Sequence, residues 1–228
     1  MDDPFPGELE QRLVRLLSPD EADQRQRFAT ERLANEYLAT RALCRLTLSR
    51  YADVAPNGWR FKRNRYGRPE IESPPGIPPL RFNLSNTHGL VACLVTLAVD
   101  AGIDVEDMER RHAPLGTATE LFSADEAAAL ASLPADQQRT RFFEYWTLKE
   151  SYIKARGLGL SLPLQQFTLH LGDAQPIRIS FAPGINDSPS EWQFGLYRPS
   201  ARHVMAVAIK RGARPDLRLE IKAAALAA

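Results

Sequence analysis

Arg81-Phe82-Asn83-Leu84-Ser85-Asn86-Thr87-His88-Gly89-Leu90-Val91-Ala92-Cys93-Leu94 reads as two strands, over 81–85 and 90–99, around the turn Asn86-Thr87-His88-Gly89. The second half of the chain repeats the pattern. Gln193-Phe194-Gly195-Leu196, a turn, and Val204-Met205-Ala206-Val207 form a comparable hairpin. Any two β-hairpins share this appearance. The alternative is a duplication, in which the halves would be pseudo-symmetric α+β lobes with a cleft between them.

Moving outward from the first hairpin, residues 18–51 read as helical, with Leu33, Tyr37, Leu38, Ala42, Leu46 and Leu48 at roughly helical spacing. Pro56-Asn57-Gly58 ends that segment, and the proline-dense stretch 73–79 is a loop. Beyond the hairpin, a short strand covers 102–106. Ser123-Ala124-Asp125-Glu126 is a capping-box pattern, and residues 142–156 make a long helix stopped by Gly157. Strand-like runs return at 167–171, 177–181, 192–197 and 204–209.

Composition excludes several classes. The 228 residues are 44% hydrophobic and 25% charged, and Lys+Arg 29 against Asp+Glu 28 leaves a formal charge of +1. No global charge recruits nucleic acid, so electrostatic recognition must be local. No apolar run approaches the ~20 residues of a membrane span. Met1-Asp2-Asp3-Pro4 is no signal peptide, which gives a cytoplasmic expectation with no membrane partner. The two cysteines, Cys44 and Cys93, are expected as reduced, buried thiols.

Gly102-Ile103-Asp104-Val105-Glu106 carries the sharpest chemical signal. Strand alternation sends Ile103 and Val105 to one face and Asp104 with Glu106 to the other. Two neighbouring carboxylates repel by about 1 to 4 kcal/mol at ~4 Å, depending on the effective dielectric, and a divalent cation removes that cost. The competing reading is a solvated strand end with two inert acids. In Trp146-Thr147-Leu148-Lys149-Glu150-Ser151-Tyr152-Ile153-Lys154, Trp146, Glu150 and Lys154 share one helix face. That stripe is either an exposed ion pair or the wall of a cleft. A third carboxylate from it would complete an all-oxygen site suited to magnesium, which binds through few carboxylates plus substrate phosphates. Between residues 41 and 68, eight cations face the single acid Asp53. This window is either a solvated basic face or a phosphate-receiving surface.

These elements together resemble the Sfp-type 4′-phosphopantetheinyl transferase family. The Gly-Ile-Asp-Val-Glu strand and the Trp-Thr-Leu-Lys-Glu-Ser-Tyr-Ile-Lys helix match its signature pair. Tyr66-Gly67-Arg68-Pro69, Arg81-Phe82-Asn83-Leu84-Ser85, Phe122-Ser123-Ala124-Asp125-Glu126, and Gly157-Leu158-Gly159-Leu160 with Pro163-Leu164 match further elements in the family's order. The resemblance implies an α+β monomer of two similar lobes, residues 1–100 and 101–228. It implies transfer of phosphopantetheine from coenzyme A to a serine of an acyl or peptidyl carrier protein. Asp104, Glu106 and Glu150 would hold Mg2+. Glu150 would be the base, and Lys154 would assist the leaving group. Lys149, Lys154, Arg68, Ser85, Asn86 and Arg41 would contact coenzyme A. Relatives commonly carry histidine where Asn86 stands, and His88 lies two residues on. A different metal-dependent enzyme acting on a nucleotide diphosphate would use the same three acids. A nucleic-acid module built on the arginine window would leave those acids without a purpose.

Overall fold

The computed structural model describes residues 5–109, 115–159, 162–172, 176–224 and 226. The Met-Asp-Asp-Pro start, Leu160 of the glycine-leucine segment, and residues 225, 227 and 228 of the alanine-rich tail lie outside these. The chain divides into two compact units, Met1–Ala98 with Leu219–Ala228, and Val99–Arg218.

The first unit holds α1 (Gly7–Val14), α2 (Pro19–Gln26) and α3 (Glu31–Leu48), followed by β1 (Arg60–Arg63), β2 (Pro69–Ser73), β3 (Leu80–Thr87) and β4 (Leu90–Leu97). The single helix expected over 18–51 is two helices. Thr30 takes an extended backbone, and its hydroxyl accepts from the Leu33 N–H, which starts α3 afresh. Helix α2 opens with a capping box of its own, made by Ser18 and Glu21. The β1–β2 hairpin and α1 have no counterpart in the periodicity reading: the hairpin is short and largely polar, and α1 spans only two turns. Strand β3 runs further than expected, β4 stops two residues short of the expected end, and the two pair in register up to Thr87 and Leu90. Only His88 and Gly89 remain in the turn, where Gly89 takes the positive φ that such a tight hairpin requires. Cys44, Leu48, Trp59 and Phe82 form one apolar cluster between helix and hairpins. Leu13, Leu17, Leu38 and Ala42 form another. Leu226 packs on the second cluster. Both thiols are free, Cys44 buried and Cys93 only half-buried.

The second unit comprises β5 (Ala101–Asp107), α4 (Ala118–Leu121), α5 (Ala124–Ala131), α6 (Ala135–Arg156), β6 (Phe167–His170), β7 (Arg178–Phe181), β8 (Trp192–Tyr197) and β9 (His203–Lys210). Helix α6 begins at Ala135, seven residues before the expected start. Its first two turns are good helix formers without an apolar stripe, so periodicity cannot see them. Gly157 ends it in the left-handed conformation, as expected. Strands β5, β9 and β8 form one antiparallel sheet with β9 in the centre. Val204, Ala206 and Ala208, on one face of β9, pack with Phe142, Leu148 and Tyr152 of α6 in the main core. Each unit therefore repeats one order of elements: a short capped helix, a long helix, and two hairpins.

Among the described residues, no helix is long and apolar enough to cross a membrane.

Candidate active site

Strand β5 lies directly against α6. A side chain at Gly102 would collide with the helix backbone at Ser151 and would come within 2.5 Å of the Ala155 nitrogen. Glycine is required at this crossing, and it brings the rest of β5 alongside the Trp146-Glu150-Lys154 stripe. Asp104 is 5% exposed, which rules out the solvated-strand-end reading for that acid. The Lys154 ammonium donates to Asp104 Oδ1 at 2.7 Å and to the Ile103 carbonyl at 3.2 Å. The Trp146 indole N–H donates to Glu106 Oε1 at 2.9 Å. Burial and the nearby charge of Asp104 push the Glu150 carboxyl up from its ordinary value, and Glu106 adds to this while Lys154 opposes it. Three acids, one lysine and one indole of two elements thus form a single electrostatic cluster. The indole explains why an aromatic sits on the polar stripe: it orients Glu106.

Magnesium fits this cluster by donor type. All three donors are carboxylates, and the repulsion that raises Glu150 is relieved by a cation. Among the described residues, no three of His, Cys, Asp and Glu converge into a ready-made cage. The donor set therefore suits an ion that completes its shell with water and substrate phosphates.

Lys149 corrects a sequence expectation. Expected at a phosphate, it has no exposed surface. Its ammonium pairs with Glu126 Oε2 at 2.7 Å and donates to the carbonyls of Leu164 at 2.8 Å and Phe167 at 2.6 Å. Three acceptors match its three hydrogens, so none is left for a ligand. Burial lowers its pKa to about 8, against the opposing pull of Glu126.

The arginine window is corrected in part. Arg45 is 1% exposed, pairs with Glu21 at 2.8 Å and donates to the carbonyls of Pro56 and Trp59. It is a structural residue, balanced by an acid outside the window. Arg41, half-buried on α3, lies over the Tyr37 ring at 5.1 Å, with Glu21 3.9 Å away. Arg68 pairs with Glu70 at 3.1 Å. Ser85 is buried on β3, and the neighbouring Asn86 is exposed, its amide donating to Glu36 of α3. These four coenzyme A candidates belong to the first unit. The acids and Lys154 belong to the second.

Periodicity gives no sign of Arg202. From the β8–β9 turn, its guanidinium donates from Nε to Asp107 Oδ1 at 2.7 Å and from Nη2 to Oδ2 at 2.5 Å. That pairing holds the Asp107 carboxyl below its usual value, against the effect of burial. A lowered folded-state pKa contributes stability that is present above the ordinary aspartate range and is lost as pH falls through the lowered value. Arg202→Gln is therefore expected to move the acid-unfolding midpoint, followed by circular dichroism, to higher pH. An unchanged midpoint would show the pair to be inert.

Paired acids facing a glutamate and a lysine are a side-chain set suited to chemistry on phosphates. A family model described as the 4′-phosphopantetheinyl transferase superfamily matches residues 100–208. The chain is similar to 4′-phosphopantetheinyl transferase Sfp of Bacillus subtilis, with 31% identity over 95% of this chain and 91% of that protein. It is also similar to 4′-phosphopantetheinyl transferase HetI of a Nostoc species, with 31% identity over 87% and 81% of the two chains. A holo-(acyl-carrier-protein) synthase from Bacillus anthracis, solved in complex with CoA (3′,5′-ADP), overlaps 49% of this chain and 95% of its own at TM-score 0.41 and 16% identity, too loosely to bear on the site. The chain belongs to the Sfp-type 4′-phosphopantetheinyl transferases.

Proposed function

We propose that this enzyme moves the 4′-phosphopantetheine arm of coenzyme A onto a serine of an acyl or peptidyl carrier protein, releasing 3′,5′-ADP. The supporting observation is the cluster in which Asp104 and Glu106 of β5 meet Glu150 and Lys154 of α6. Asp104, Glu106 and Glu150 would hold magnesium, which when bound neutralises charge on the diphosphate. Glu150 takes the proton of the attacking serine hydroxyl as general base. As the serine oxygen bonds to the β-phosphorus, the bond to the bridging oxygen breaks in line. Lys154 steadies the negative charge that remains on the leaving nucleotide. Arg41, Arg68, Ser85 and Asn86 are the proposed contacts for the nucleotide end. We place the enzyme in the cytoplasm as a monomer, a setting that agrees with two free thiols.

Mass spectrometry of apo carrier proteins incubated with the enzyme, coenzyme A and magnesium tests the reading. The expected result is a gain of one phosphopantetheine arm that disappears with EDTA. Release of 3′,5′-ADP without any carrier protein would instead identify a hydrolase.

A further inference from the structure

The buried pair Glu126–Lys149 makes no contact with the acids of the site, yet it sits at the turn of α6 that carries Glu150. Glu126 is held three ways. It closes the capping box with Ser123, accepts from the Leu169 N–H at 2.8 Å, and pairs with Lys149 at 2.7 Å. The Lys149 ammonium adds the carbonyls of Leu164 and Phe167. Helix α6 is thereby tied at one residue to α5, to the segment before β6, and to β6 itself.

A twin of this arrangement stands in the first unit. Glu21 closes the capping box with Ser18, and Arg45 of the long helix α3 pairs with Glu21. Arg45 also donates to two carbonyls just ahead of β1, those of Pro56 and Trp59. The same joint thus occurs twice, with arginine in one unit and lysine in the other.

Burying an ion pair is a weak way to stabilise a fold, because well-packed apolar residues of similar volume are often as good or better. What such a pair supplies is direction, since its hydrogen bonds exist at one helix rotation only. Successive residues of a helix are about 100° apart around the axis. Fixing Lys149 against three acceptors therefore fixes the bearing of Glu150. The contact of Gly102 with the backbone at Ser151 and Ala155 sets the distance to β5, and the pair sets the rotation.

We propose that Glu126 and Lys149 are positioning residues for the transfer reaction, holding α6 at the rotation that aims Glu150 at Asp104 and Glu106. This rests on the transfer reading above, and its test includes a readout that does not. The Trp146 indole N–H, bonded to Glu106 one turn from Glu150, reports the rotation without substrate or metal. Its resonance is assigned among the indole signals by Trp146→Phe.

Lys149→Met is examined below its melting temperature, and Lys149→Arg keeps the charge while changing reach and shape. In Lys149→Met the indole resonance is expected to shift. Its kcat for carrier modification is expected to fall roughly 10- to 100-fold, the scale of a small misplacement of reacting groups. At saturating magnesium, KM for coenzyme A is expected to rise by a smaller factor than kcat falls, because Asp104 and Glu106 keep their places while the base is misaimed. Lys149→Arg falls between wild type and Lys149→Met, and it decides the matter if Lys149→Met does not fold. In the variant that folds, an unmoved indole resonance or an unchanged kcat overturns the proposal and leaves the pair a purely structural joint. Absence of transfer by the wild-type enzyme would instead sink the reaction assignment, with the resonance alone then judging the joint. The matching change in the other unit, Arg45→Met, is expected to leave the Trp146 resonance in place.

Discussion

Glu150→Gln is expected to lower carrier-protein modification by at least about 10² to 10⁴-fold, the range attributed to a positioned proton acceptor, while the melting temperature holds or rises slightly. The two halves of this expectation have one cause. The Glu150 carboxyl is partly buried beside Asp104 and Glu106, which raises its pKa, and Lys154 offsets this only in part. Glutamine keeps the shape and removes the charge, so repulsion in the cluster falls and stability is retained. The same change removes the only proton acceptor that α6 presents to the cluster and weakens the donor set for a cation. Asp104→Ala is expected to be equally inactive, because it takes a carboxylate from the strand and releases the Lys154 ammonium from its 2.7 Å contact. Mass spectrometry of the carrier and thermal unfolding followed by circular dichroism measure the two effects. A Glu150→Gln/Asp104→Ala enzyme with near-normal turnover would remove both residues from the chemistry.

Local signals survive in a sequence when a residue's role is played out with its near neighbours. The carboxylate strand, the Trp146-Glu150-Lys154 stripe, the Ser123–Glu126 cap and the Gly157 stop were legible for this reason, since each follows from spacing of four residues or fewer. Strands β8 and β9 were legible because apolar residues fill them. What stayed hidden is a matter of tertiary partners. Lys149 reads as an ordinary helix lysine until Glu126, Leu164 and Phe167 are seen around it. The capping pattern was visible, but the second duty of its glutamate was not. Arg45 reads as one charge in a basic window, whereas its acid, Glu21, lies 24 residues away. Arg202 and Asp107 are 95 residues apart in the chain. The polar first turns of α6 and the short β1–β2 hairpin escaped because periodicity detects an apolar face, and these elements have almost none.

Gly102→Ala is expected to be the most damaging single methyl addition in the second unit. Gly102 lies within β5, and its φ is not in the left-handed region. The constraint is space. A Cβ there would overlap the Ser151 carbonyl oxygen and would stand 2.5 Å from the Ala155 nitrogen and 3.0 Å from the Lys154 carbonyl carbon. All three are backbone atoms of a helix packed in the main core, so none can rotate away as a side-chain tip could. Relief requires β5 and α6 to separate, and both belong to the unit's core. Overpacking of a well-packed core costs about 1 to 3 kcal/mol and occasionally more, and an unyielding backbone on both sides puts this case at the upper end. For a chain of this size, roughly 3 kcal/mol corresponds to a fall in melting temperature of about 10 °C. Gly7→Ala, where a Cβ meets nothing within 4 Å, is the control and is expected to be neutral. Because Asp104 and Glu106 follow on the same strand, the surviving folded fraction of Gly102→Ala should also transfer poorly at low temperature. A wild-type melting temperature for this variant would mean that strand and helix are not in contact at Gly102, and the placement of the acids against α6 would fall with it.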